Sequence, residues 1–156
     1  MQEPKRIKVF HKIDKDIAEI GWTVMGIEAK PPFCYTIGLQ RNYQHPELIV
    51  FGLKYEIAHT FLNQIGFSIQ AGESYIPGLK YDTLAQGFDT QFIEVLPHHF
   101  REYLGTLVGY YQYLDDATSL KALQLVWPDP QNRFPWEEGH DKKFLDFQPL
   151  LNSLNN

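Results

Sequence analysis

The segment QLVWPDPQNRFPWEEGHD, from Gln124 to Asp141, constrains the fold of this chain more than any other stretch. Pro128, Pro130 and Pro135 fall within it, and proline neither continues a helix nor sits in a central strand. The backbone from Pro128 to Pro135 must therefore run irregularly. The same segment holds Trp127 and Trp136, two of the three tryptophans. An irregular stretch that carries large aromatics is either a loop pinned on the core or a binding surface. The area argument favours an ordered loop with both tryptophans turned inward, because each can bury roughly 150–250 Å². Asp129 and Glu137 have no such reason for burial and are expected on its exposed side.

The remaining chain is ordinary for a single globular domain of 156 residues, 44% hydrophobic and 21% charged. Residues 1–8 and 152–156 are expected to be flexible. The formal net charge of −5 argues against nucleic-acid binding, which needs a positive surface to replace phosphate counterions. One basic cluster, Lys5, Arg6 and Lys8 with Lys12 and Lys15 behind it, reads as a solvated face. The single cysteine excludes an internal disulfide and suits a reducing compartment. No secretory h-region and no membrane-length apolar run is visible, so a cytoplasmic location is expected.

Hydrophobic periodicity gives an α+β fold, a mainly antiparallel sheet of about five strands with about three helices packed on one face. Asp14 reads as the N-cap of a short helix ended by Gly21. Strands follow over Trp22–Ala29, Cys34–Leu39 and Glu47–Leu53. Ile57, Ala58, Phe61, Leu62 and Ile65 keep helical spacing, with Gly66 as the expected stop. Gln70–Gly87 shows no clear period. A strand over Phe88–Leu96, a helix striped by Phe100, Tyr103, Leu104, Leu107, Tyr111 and Leu114, and a strand over Leu120–Trp127 complete the list. Ile49, Phe51, Phe61, Leu62, Leu104, Leu107, Leu125 and Val126 are expected to share one core.

Glycine-rich phosphate loops, the G-x-S-x-G elbow, H-E-x-x-H and paired Cys-x-x-Cys are all missing from the sequence. Cys34 lies between Phe33 and Tyr35 in an apolar strand and reads as a small buried hydrophobe, inert as a nucleophile. His98 and Glu102 are four apart, but no third ligand can be assigned, so neither a metal nor a cofactor is expected. His45-Pro46-Glu47 opens the buried strand, a place where sites often form. The candidate binding residues are thus Tyr35, His45, Glu47, Trp127, Asp129, Arg133, Trp136, Glu137 and Asp141. Acids beside an aromatic wall can do acid–base work, bind a basic partner, or hold the loop by accepting backbone N–H bonds. The last use is favoured.

The ordered stretches Gly21–Trp22, Pro32–Leu39, His45–Leu53, Gln124–Asp129 and Phe134–Glu137 resemble the bacterial family known as domain of unknown function 4262. The resemblance runs from about Gly21 to Leu151 and departs at Cys34, where relatives are expected to carry alanine. It implies an order of motifs and no mechanism. The expected role is a non-catalytic binding or interaction protein, of the kind that neutralises a toxin or docks on a partner. Its partner is expected to be a basic protein or a small polar ligand, with neither nucleic acid nor membrane involved. The alternative is a small-molecule hydrolase or transferase whose site joins Tyr35 and the His45–Glu47 loop to the Trp127–Asp141 segment.

Overall fold

A computed structural model describes residues 4–116 and 118–153. Helix α1, Lys5–Ile20, buries Phe10, Ile13 and Ile17, a three-four stripe, and ends on Gly21 in the left-handed conformation. It starts well before Asp14, because a helix needs only its apolar stripe to pack and the charged residues around Phe10 form its wet face. Lys5–Lys8 are helical, and residues 1–3 and 154–156 lie outside the described residues.

The sheet has the order β1-β2-β3-β5-β4, from β1 Thr23–Ile27, β2 Phe33–Ile37, β3 Glu47–Phe51, β4 Gln91–Glu94 and β5 Ala122–Val126. Every neighbouring pair is antiparallel except β3 and β5, which run parallel with Glu47 opposite Ala122 and Val50 opposite Leu125. This is the expected α+β fold with a mostly antiparallel sheet.

Helices cover both faces, not one. Odd-numbered residues of β2 and β3 (Phe33, Tyr35, Ile37, Ile49, Phe51) pack on α1 and on α5, Gly105–Tyr113. Cys34, Leu48 and Val50 point the other way, against α3, Tyr55–Gln70. The continuous apolar run of β3 is what two-sided burial demands, since a strand with one wet face would alternate. The residues assigned to one core are divided by the sheet accordingly. Ile49, Phe51, Leu104 and Leu107 lie on the α1 side, Leu62 and Leu125 on the α3 side, and Val126 in a small third cluster with Ile93 and Phe134.

Two helix boundaries also differ from the periodicity reading. Gly66 does not stop α3, which runs on to Gln70; it makes room for Trp22, whose ring carbons would lie 2.6 Å from an added Cβ. The stripe from Phe100 to Leu114 is broken at Leu104 (φ −119°, ψ 35°), giving α4, Phe100–Tyr103, and a separate α5. A 3-10 turn over Pro97–His99 precedes α4. Among the described residues no helix is long and apolar enough to cross a membrane.

Candidate functional site

The parallel pairing of β3 with β5 decides which candidate residues can meet. Glu47 stands beside Ala122, the first residue of β5, whereas the proline-rich segment leaves from the last, Val126. Five residues of strand therefore separate the His45–Glu47 loop from Trp127, roughly 16 Å at the rise of a strand. Tyr35 lies between them, opposite Ile49, and its side chain is buried on the α1 face. The structure does not bring Tyr35, His45 and the Trp127–Asp141 segment to one place.

At the first end, the polar groups serve the fold. The Glu47 carboxylate is buried where the chain turns from β2 into the short helix α2, Leu39–Tyr43. It accepts hydrogen bonds from Thr36 Oγ1 (2.8 Å) and from the backbone N–H groups of Gly38 (2.8 Å), Leu39 (3.1 Å) and Gln40 (3.4 Å). The Tyr111 hydroxyl donates a longer one at 3.4 Å. Burial pushes the carboxyl up to about 7 against the pull of those donors. His45 Nε2 accepts the Tyr75 N–H at 3.0 Å, so Nδ1 carries the proton and donates to the Pro46 carbonyl at 2.9 Å. Burial holds this imidazole below its ordinary pKa, and neither nitrogen is free to act on a substrate. Burial likewise raises the Tyr35 hydroxyl and takes the Cys34 thiol to about 11, which fits an inert cysteine.

At the other end the chain folds into a lasso held by Asp129. Its carboxylate accepts the N–H groups of Gln131, Arg133 and Asp141, each at 2.9 Å. Asp129 is 3% exposed, not on the outer side as the sequence suggested. Burial raises its pKa, but these three donors outweigh that effect and leave it below the ordinary value. Glu137 accepts the Phe134 N–H at 3.0 Å, and Asp141 caps the 3-10 turn Lys142–Asp146 by accepting from Lys143 N–H. Arg133 donates to the Gly139 carbonyl. Each charged candidate in the segment thus holds backbone, which is what irregular chain requires. His140, which the sequence did not single out, is buried within this lasso, and neither ring nitrogen has a partner among the described residues.

The two tryptophans behave differently. Trp127 turns inward, donating from its indole to the Phe51 carbonyl at 2.8 Å, while Gln148 pairs both ways with its backbone. Trp136 is 47% exposed and stacks on buried Phe134 at 5.3 Å. Its inward packing was wrongly expected because Phe134, from the same turn, already fills that part of the core.

Between the lasso and α3 the structure leaves a cavity of about 340 Å³. Trp127, Leu125, Leu53, Phe61, Phe88 and Phe144 line it, and Asp129 is the one titratable group on its wall among the described residues. Phe61 and Leu125 read as core in the sequence, Trp127 and Asp129 as candidate binding residues, and Phe144 lies beyond the segment that drew attention. Only their failure to fill the space marks a site, and periodicity carries no record of that. Among the described residues no three metal-ligating side chains come together, including His98, His99 and Glu102.

The sheet, α3 and the lasso all lie within residues 16–141, which match the family model described as a domain of unknown function (DUF4262). The chain belongs to this family. The match begins in the last third of α1 and ends on Asp141, the last residue tied to Asp129. No curated protein matches the chain, and neither does any solved structure.

Proposed function

We propose that this chain is a non-catalytic binding protein of the bacterial cytoplasm that holds a small aromatic or branched apolar group in the cavity beside Trp127. The supporting observation is the cavity wall: six large apolar side chains and one carboxylate already engaged by three backbone donors. A catalytic site needs two titratable groups in mutual reach of a substrate. The volume is at the small end of ligand pockets and suits one ring system or one partner side chain. The apolar wall supports an apolar group here over the small polar ligand expected from the acidic, aromatic segment. The rival hydrolase or transferase would join groups that lie at opposite ends of β5, and no observation favours it.

The test is a thermal melt with toluene or indole as probe. Leu53→Trp is placed to plug the mouth, since Leu53 is half-buried on the cavity wall. The parent should gain about 2–3 kcal/mol of stability at a probe concentration near a hundred times Kd. The plugged variant should gain none. Equal gains in both, or no gain in either, would remove this reading.

A further inference from the structure

We propose that the outer edge of β4 is a docking slot for an extended, basic segment of a partner protein, which adds there as a further strand of the five-stranded sheet. Among the described residues β4 is an edge strand, paired with β5 on one side only. The Val95 N–H bonds to Ala122 in the direction of β5, so by strand alternation Gln91 and Ile93 also face β5. Thr90, Phe92, Glu94 and Leu96 face outward. At the two ends this outer row is filled: Thr90 exchanges both bonds with Tyr81, and Leu96 N–H bonds to the Leu151 carbonyl. Between them the outward main-chain groups of Phe92 and Glu94 have no partner among the described residues.

A groove of about 580 Å³ runs over this gap, lined by Gln91–Glu94, Pro77, Gly78 and Trp136. Native edges are usually blunted by lysine, proline or a covering segment. Here Tyr81 and Leu151 cover the ends and leave the middle open. Glu94 is exposed, whereas Phe92 is 1% exposed and forms the groove floor. The exposed ring of Trp136 and the Pro77–Gly78 turn also line the groove.

Charge selects the occupant. Among the described residues Glu94 is the only charged one on the groove, and the chain carries a net −5. Lys80, close by in sequence, holds its ammonium over the Phe134 ring. A lysine or arginine cross-strand from Glu94 completes an opposite-charge pair on the same face of the sheet. Main-chain bonds to Phe92 and Glu94 supply the common part of the affinity, as in other strand additions. The slot is independent of the cavity beside Trp127.

The test is selection of random heptapeptides displayed on phage, with Glu94→Pro as counter-selection. The Glu94 N–H points away from β5, so proline there removes the docking donor and keeps the ladder. Enriched peptides should alternate β-formers with lysine or arginine. An enriched peptide should lose about tenfold in affinity on Glu94→Pro or on methylation of its central amide. Glu94→Lys, which leaves the backbone intact, should turn the preference toward acidic peptides, while Leu53→Trp leaves binding unchanged. No enrichment, or equal binding to all three β4 proteins, would overturn the proposal. So would a dimer in sedimentation that Glu94→Pro dissolves, because the occupant would then be a second copy.

Discussion

Asp129 is the side chain on which the lasso and the outer wall of the cavity depend. It closes a loop by accepting the N–H of Asp141, twelve residues on, and holds the turn inside that loop with its other oxygen. Asp129→Asn puts an amide N–H₂ against one of these donors, so Tm should fall by several degrees and probe binding should weaken with it. The group's folded pKa lies below its unfolded value, so its stabilisation is present above about pH 4 and is lost as pH falls through the folded pKa. Glu47 has the opposite sign. With a folded pKa raised from 4.5 to about 7, the unfolded chain ionises first, and stability declines as pH rises through that window. The decline is at most about 3 kcal/mol. The difference between parent and Glu47→Gln in denaturant melts from pH 4 to 8 isolates it: the parent should show this slope and the variant should not. Backbone holding was the favoured use of the acids in the Trp127–Asp141 segment and Asp129 meets it, but its donors were not legible, since they lie up to twelve residues away and depend on the closed lasso.

At the scale of elements, Gly66 shows how a sequence signal can carry a different meaning. Glycine in a helical pattern reads as a stop, yet here α3 continues for another turn and the missing Cβ admits the buried indole of Trp22. Asn63, one turn earlier, accepts the indole N–H at 2.9 Å. Gly66→Ala should therefore destabilise the protein by about 1–3 kcal/mol through overpacking, against the small gain alanine gives an open helix. Chemical denaturation of this variant checks the sign. Most strands were legible because their runs are apolar and bounded by turn residues: Glu47–Phe51 and Ala122–Val126 fall inside the expected segments. The beginning of α1 was not, because charged residues dominate its exposed positions. Phe10, Ile13 and Ile17 did carry the stripe, and taking Asp14 as a cap concealed it.

The whole molecule is three layers, with the sheet separating α1 and α5 from α3. Cores on opposite faces share few neighbours, so Leu62→Ala and Leu107→Ala should each cost about 2–5 kcal/mol and add in the double variant. The apolar run of β3 held the signal for two-sided covering, but which helix takes which face follows from pairings distant in sequence. One such pairing, β3 parallel to β5, places the His45–Glu47 loop and the Trp127–Asp141 lasso at opposite ends, and no local pattern announces it. That separation is why the proposed reading puts ligand binding in the cavity beside Trp127 alone. Amide and indole NMR of the parent during an indole titration tests this most directly. The account predicts saturable shifts at Leu53, Phe61, Leu125 and Phe144 and at the Trp127 indole N–H, with His45 and Glu47 unmoved. Saturable shifts centred on His45 and Glu47, or none at the cavity residues, would contradict it.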